Sequence, residues 1–179
     1  MHILMTVNST WNIWHFRRPV VEALISDGHS VTVLAPFDDS VPELEKLGCR
    51  LVDLKMNLQG LNPLDELRLV FRFIRIFRAE QPNIVISYTI KNNILGACAA
   101  RILGIPFLPN VSGLGTAFLS GRLIKTVSES LYRRVFERLP TVFFQNPEDS
   151  ALFIERSMIQ LEQVRLLPGS GIDLSHFTP

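Results

Sequence analysis

Seven short apolar runs punctuate the chain, at 2–7, 30–35, 50–54, 83–87, 105–109, 141–145 and 164–167, with apolar residues at helical spacing between most of them. Several of the runs show no polar face. A strand of that kind is covered on both sides, which is the condition of a parallel sheet packed between helices. The pattern therefore predicts an α/β domain with a doubly wound, mostly parallel sheet. The intervening helices have chemically marked ends. In NPLDE, Asn62 is placed to cap, Pro63 takes the first helical position, and Asp65 and Glu66 set carboxylates at the positive end of the helix dipole. NPEDS repeats the device with Asn146, Pro147, Glu148 and Asp149. Gly28, Gly48 and Gly104 each stand between a helical run and a strand, where a left-handed residue ends a helix.

Open α/β sheets bind ligands beyond the carboxyl ends of their strands. Four segments fall there: NSTWNIWHF after the first run, SYTIKNN after the fourth, VSGLGTAF after the fifth and QNPED after the sixth. The first contains no glycine, so the G-x-G-x-x-G turn of a nicotinamide or flavin dehydrogenase is excluded, and no P-loop is present. VSGLGTAF sets Gly113 and Gly115 between a strand and a helix. Backbone amides can face a phosphate or sugar there, with Ser112 and Thr116 adding hydroxyls, or the glycines serve only a tight turn. SYTIKNN offers Thr89, Lys91, Asn92 and Asn93, a cation and amides suited to an anionic or hydroxylated ligand, although the asparagines suit helix capping equally. No histidine or carboxylate neighbours these hydroxyls, so no nucleophile with its base can be read and no catalytic residue is assigned. His15 lies near a ligand-facing loop, where a structural role also suits it.

A length of 179 residues suits one well-filled domain, and a net charge of +1 gives no pull toward nucleic acid. Cys49 and Cys98 lie far apart without metal-ligand spacing, which reads as reduced thiols in a cytosolic protein with no metal. No stretch approaches the roughly 20 uninterrupted apolar residues that span a bilayer, and no signal-peptide pattern opens the chain. Local charge changes the picture more than the total does. Arg68, Arg72, Arg75 and Arg78 share one side of the helix beginning at Asn62, while Leu67, Val70, Phe71, Phe73, Ile74, Ile76 and Phe77 fill the rest. A basic helix with aromatics at its polar boundary suits an anionic membrane surface, the alternative being a solvated face over a large core. A second cationic helix adds Arg122, Lys125, Arg133, Arg134 and Arg138.

Four segments in order, LISDGHSVTVLAP, SYTIKNNILGACAARILGIPFLPNVSGLGTAF, VFFQNPEDSALF and LLPGSGIDLSHFTP, resemble the N-terminal half of bacterial family 4 glycosyltransferases of the GT-B fold. Such enzymes act in capsule, O-antigen and lipid-linked oligosaccharide assembly. The resemblance implies a Rossmann-like acceptor-side domain over 1–167, the start of an interdomain linker over 168–179, and a C-terminal donor-binding domain absent from this chain. It implies hexosyl transfer with retention, without cofactor or metal, from a nucleotide-sugar such as a UDP-sugar to a lipid-linked saccharide acceptor. The place implied is the inner face of the cell membrane, with the isolated domain inactive.

The same likeness sets Asn8, Ser9 and Trp11 under the donor phosphates, where many relatives carry glycines. It aligns Thr89, Lys91 and Asn92 with a stretch in which relatives bear a functional histidine that is missing here. It makes Ser112, Gly113 and Gly115 a cleft loop, and Asn146 and Asp149 the start of a helix facing the gap. Two alternatives stand beside it: a noncatalytic, membrane-docked acceptor-binding subunit of a two-chain transferase, and a nucleotide-sugar 2-epimerase of the same layout.

Overall fold

The seven apolar runs are the seven strands of one sheet in the computed structural model, which describes residues 1–58, 62–113 and 122–169. They are β1 (His2–Thr6), β2 (Ser30–Ala35), β3 (Arg50–Asp53), β4 (Ile84–Tyr88), β5 (Phe107–Val111), β6 (Val142–Phe144) and β7 (Val164–Leu166). Every neighbouring pair is parallel, in the order β3-β2-β1-β4-β5-β6-β7. Between them run α1 (Thr10–Phe16), α2 (Arg18–Ser26), α3 (Val41–Lys46), α4 (Pro63–Glu80), α5 (Ala97–Leu103), α6 (Arg122–Phe136) and α7 (Pro147–Glu155). A π-helical turn, Asn92–Gly96, leads into α5.

Alternation along each strand divides the core in two. Ile3, Met5, Val31 and Val33 pack with Ile13, Val21 and Leu44 of α1, α2 and α3. Leu4, Leu34, Val85, Phe107 and Phe144 pack with Phe73 and Phe77 of α4, Ala97 and Ala100 of α5, and Tyr132, Phe136 and Phe153 of α6 and α7. Right-handed crossovers account for this division, because the chain steps from β1 out to β2 and β3 and then returns past β1 to β4. The strand order reverses between β1 and β4, and that is where a doubly wound sheet opens a crevice.

The caps form as the sequence anticipates. Asn62 Oδ1 accepts the Leu64 amide at 3.1 Å, and Asn146 Oδ1 accepts the Asp149 amide at 2.7 Å. Gly104 ends α5 with φ 69°, and Gly28 and Gly48 take positive φ likewise. Gln81, however, ends α4 at φ 48°, a left-handed residue that no glycine signal marks. The fifth strand starts two residues later than its apolar run. Ile105 spends its amide on the helix end, donating to Ala100 O at 2.9 Å, and pairing begins at Phe107. Leu69, Phe73 and Phe77 form the buried stripe of α4, each worth about 1.5–3 kcal/mol of apolar transfer.

Candidate functional site

At the reversal point the chain leaves β4 through Thr89, whose φ of 67° is left-handed and unfavourable for a β-branched residue. Side chains hold it there. The Thr89 hydroxyl donates to Asn92 Oδ1 at 2.9 Å, and the fully buried Asn92 amide donates to Thr6 Oγ1 at 2.8 Å and Val7 O at 3.1 Å. Asn93, also buried, donates to Asn110 O at 3.0 Å. The π turn, a form frequent at functional sites, thus ties the carboxyl ends of β1, β4 and β5 together. Gly96 allows this turn to seat, since a Cβ there would stand 3.2 Å from the Phe107 ring.

The turn walls a cavity of about 320 Å³ that brings together Asn8, Thr89, Lys91, Asn92, Ser112 and Gly113, with Met56, Leu58 and Ile90 as its apolar part. Lys91 Nζ donates to Glu66 Oε1 at 2.6 Å and to Asn57 O at 2.7 Å, fastening the first turn of α4 to the π turn. Gly113, at φ 150°, is the conformation-limited end of the wall. Buried side-chain oxygens of Asn8, Asn12 and Asn110 have no hydrogen-bond partner among the described residues. Buried polar atoms in folded proteins are ordinarily paired; of these three only Asn8 lines the cavity, and its open acceptor there favours a ligand or water that donates protons, as a sugar hydroxyl does.

The remaining expected site residues lie apart from this cavity. Ser9 Oγ accepts the Asn12 amide at 3.2 Å and caps α1. Trp11 is 46% exposed and stacks on His15 with ring centroids 4.3 Å apart. Asn146 and Asp149 close on each other, Asn146 Nδ2 donating to Asp149 Oδ2 at 2.8 Å. Gly115 lies outside the described residues, as do residues 170–179 and the side chains of Arg122 and Lys125. Arg68, Arg72, Arg75 and Arg78 are all exposed on α4, Arg68 paired with Asp65 and Arg72 donating to Lys55 O. Arg133 of the second cationic helix is a structural tie, donating to Ser157 O and Arg156 O.

Two participants escaped the sequence reading. Glu66 was legible only as a first-turn carboxylate, and nothing in its spacing announces the partner at Lys91. Asp38 fastens the loop after β2 to α1, accepting the Trp11 amide at 2.7 Å and the Ser40 amide at 2.9 Å. Burial alone would raise its pKa, but those amides and the Thr10 and Ser40 hydroxyls hold it below the usual carboxylate value. Among the described residues no group of three His, Cys, Asp or Glu side chains is arranged to hold a metal ion.

Comparison with known proteins gives this crevice a lineage. A family profile described as "Glycosyl transferase 4-like domain" matches residues 13–169. The chain belongs to that family. A curated relative from Campylobacter jejuni, N,N'-diacetylbacillosaminyl-diphospho-undecaprenol alpha-1,3-N-acetylgalactosaminyltransferase, is 27% identical over 173 residues, covering 94% of this chain and 46% of the relative. The sucrose-phosphate synthase of Thermosynechococcus elongatus superposes with a TM-score of 0.68 at 16% identity, covering 100% of this chain and 50% of that one. Anabaena Alr3699/HepE, solved in complex with UDP-glucose, gives 0.66 at 16% identity over 98% of this chain and 45% of that one. At these identities the structural likeness is one of fold, the Rossmann-like domain of GT-B glycosyltransferases. The glycosyl transferase 4-like domain described here spans about half the length of the relatives it matches.

Proposed function

We propose that this domain is the acceptor-side wall of a two-domain glycosyltransferase that moves a hexosyl group from a UDP-sugar to a lipid-linked saccharide in surface-polysaccharide assembly. The observation that carries the reading is the cavity at the strand reversal of a glycosyl transferase 4-like domain, where the open amide oxygen of Asn8, a lysine and a glycine-bearing loop converge. The activity for which the Campylobacter relative is named, transfer to a diphospho-undecaprenol-linked sugar, supports the acceptor class. The UDP-glucose complex of the Anabaena structure supports the donor class. In this reading residues 1–167 bind the acceptor, 168–179 begin a linker, and a second domain brings the nucleotide-sugar. Closure of the two excludes water, and Lys91 with the Gly113 loop stabilises charge developing on the departing diphosphate, with retention of configuration at the transferred sugar.

The outer face of α4 supports peripheral attachment to the inner leaflet. Leu64, Leu67 and Phe71 are 63%, 53% and 62% exposed, and at 100° per residue they lie on the same face as the four arginines. No described helix is long and apolar enough to cross a membrane. A basic-apolar helix lies in the headgroup region instead, each cation contributing about 1 kcal/mol at an anionic surface.

The test is a transfer assay with labelled UDP-sugars and a short-prenyl diphosphate-linked saccharide. The domain followed by a donor-binding domain is expected to transfer label, and the domain alone is expected not to. Transfer by the domain alone, or epimerised nucleotide-sugar formed without acceptor, contradicts the proposal.

A further inference from the structure

Beside the first cavity lies a second of about 520 Å³, between the carboxyl ends of β2 and β3 and the first turns of α4. Its size falls within the range of small-molecule sites. The two share Met56, and the Lys91–Glu66 ion pair spans them, with Lys91 in the wall of one and Glu66 in the wall of the other. They form successive stations along one edge of the sheet.

The second cavity has a distinctive chemistry. Its charged lining is balanced, with Asp53, Asp65 and Glu66 against Lys55, Arg68 and Arg72. Two of the cations are already engaged, Arg68 with Asp65 at 2.8 Å and Arg72 with Lys55 O. A phosphate would have to displace those contacts and approach three carboxylates, which like-charge repulsion opposes. A bare cation would meet the arginines. Asp53 stands exposed at the end of β3, and Phe37 stands at the rim 46% exposed over an apolar base of Met56 and the buried Leu69. An uncharged ligand that donates and accepts many hydrogen bonds and also carries an apolar face meets all of these terms: carboxylates accept its hydroxyls, guanidinium groups donate to its oxygens, and the aromatic ring covers its C–H face. That ligand class is a neutral saccharide.

We propose that this second cavity is a saccharide subsite, holding the sugar unit next to the one presented in the Lys91 cavity. The inference rests on the reading of the acceptor as a saccharide and adds where its second unit lies. It makes Phe37 and Asp53, both outside the ligand-facing segments of the sequence, determinants of acceptor recognition.

Amide chemical-shift titration of the 179-residue chain decides it, with N,N'-diacetylchitobiose, maltose and inorganic pyrophosphate as the probes. At least one disaccharide is expected to shift the amides of Phe37, Asp53 and Lys55, which line only the second cavity, at millimolar concentration, and pyrophosphate is expected to leave them in place. Phe37→Ala is expected to weaken the disaccharide about five- to tenfold, the loss of one aromatic contact, with remote amide shifts unchanged. Asp53→Asn should weaken it as well. If neither disaccharide moves these amides, if pyrophosphate moves them more, or if Phe37→Ala binds as the parent does, the subsite is overturned. Disaccharide binding without transferase activity in the longer protein sinks only the enzymatic reading; activity without disaccharide binding here sinks only the subsite.

Discussion

Replacing Asn92 by alanine removes the staple on which the site geometry depends. The side chain is fully buried and makes three hydrogen bonds, to Thr6 Oγ1, Val7 O and Thr89 Oγ1. Each such bond is worth about 1 kcal/mol net, and a buried carbonyl left unpaired costs about 1–3 kcal/mol. Val7 O is the atom most exposed to that loss, since the two hydroxyls can rotate toward other acceptors. The expected destabilisation is therefore about 3 kcal/mol, a large part of a total that is typically ~5–15 kcal/mol. Equilibrium urea denaturation reads it as a lowered midpoint with an unchanged slope. Thr89 also loses the contact that holds it at positive φ, so the Lys91 and Gly113 amides should shift in the folded variant. A loss under about 1 kcal/mol, with those amides unmoved, would refute the claim that Asn92 holds the turn.

Other substitutions test separate links. Burial pushes the Cys49 thiol from its ordinary value near 9 up to about 11, so its stabilising contribution is complete below pH 9 and is lost as pH rises through 11. The two-unit difference amounts to about 2–3 kcal/mol, and Cys49→Ala should flatten that part of the stability profile measured by urea titration between pH 9 and 11. Burial, then the nearby Asp149 charge, also raises the Tyr132 phenol, which leaves a residual alkaline slope in the variant. Phe153→Ala opens a cavity where its ring meets Tyr132 and Phe144 at 5.0 and 5.2 Å, and should cost about 3–5 kcal/mol by thermal or urea unfolding. On anionic vesicles at low salt, Arg75→Gln with Arg78→Gln should weaken sedimentation about thirtyfold, the equivalent of ~2 kcal/mol for two cations. Phe71→Glu should abolish much of what remains, and binding indifferent to both changes and to salt would leave α4 a solvated face.

The strands, their direction and the helix caps were legible because each rests on a local rule. Apolar runs without a polar face demand two covering layers, and Asn-Pro pairs followed by carboxylates mark helix starts wherever they fold. The crevice was legible at one remove, since topology alone directs ligands to the segments after β1, β4 and β5, and Asn8, Thr89, Lys91, Ser112 and Gly113 do meet there. What escaped was pairing across sequence distance. Glu66 and Lys91 are 25 residues apart and Asp38 and Trp11 are 27 apart, and no periodicity encodes such contacts. The direction of Asn92 escaped for a related reason: an asparagine after a strand caps, binds or staples with the same sequence signal, and only the neighbouring Thr6 and Val7 decide. The π turn is likewise silent in sequence, because the demand for a residue without a Cβ at Gly96 is set by Phe107, which lies eleven residues on in the next strand.

The account as a whole stands on one wall of a shared cleft receiving the acceptor. Its most direct measurement is an amide-shift titration of this chain with a water-soluble, short-prenyl diphosphate-linked saccharide, run in parallel with UDP. The acceptor analogue should move the amides of Asn8, Thr89, Lys91, Ser112 and Gly113, and UDP, which the second domain holds in the proposed enzyme, should move only Lys91 and Gly113 and without saturating. Saturable UDP binding at those residues, with no response to the acceptor analogue, would contradict the account.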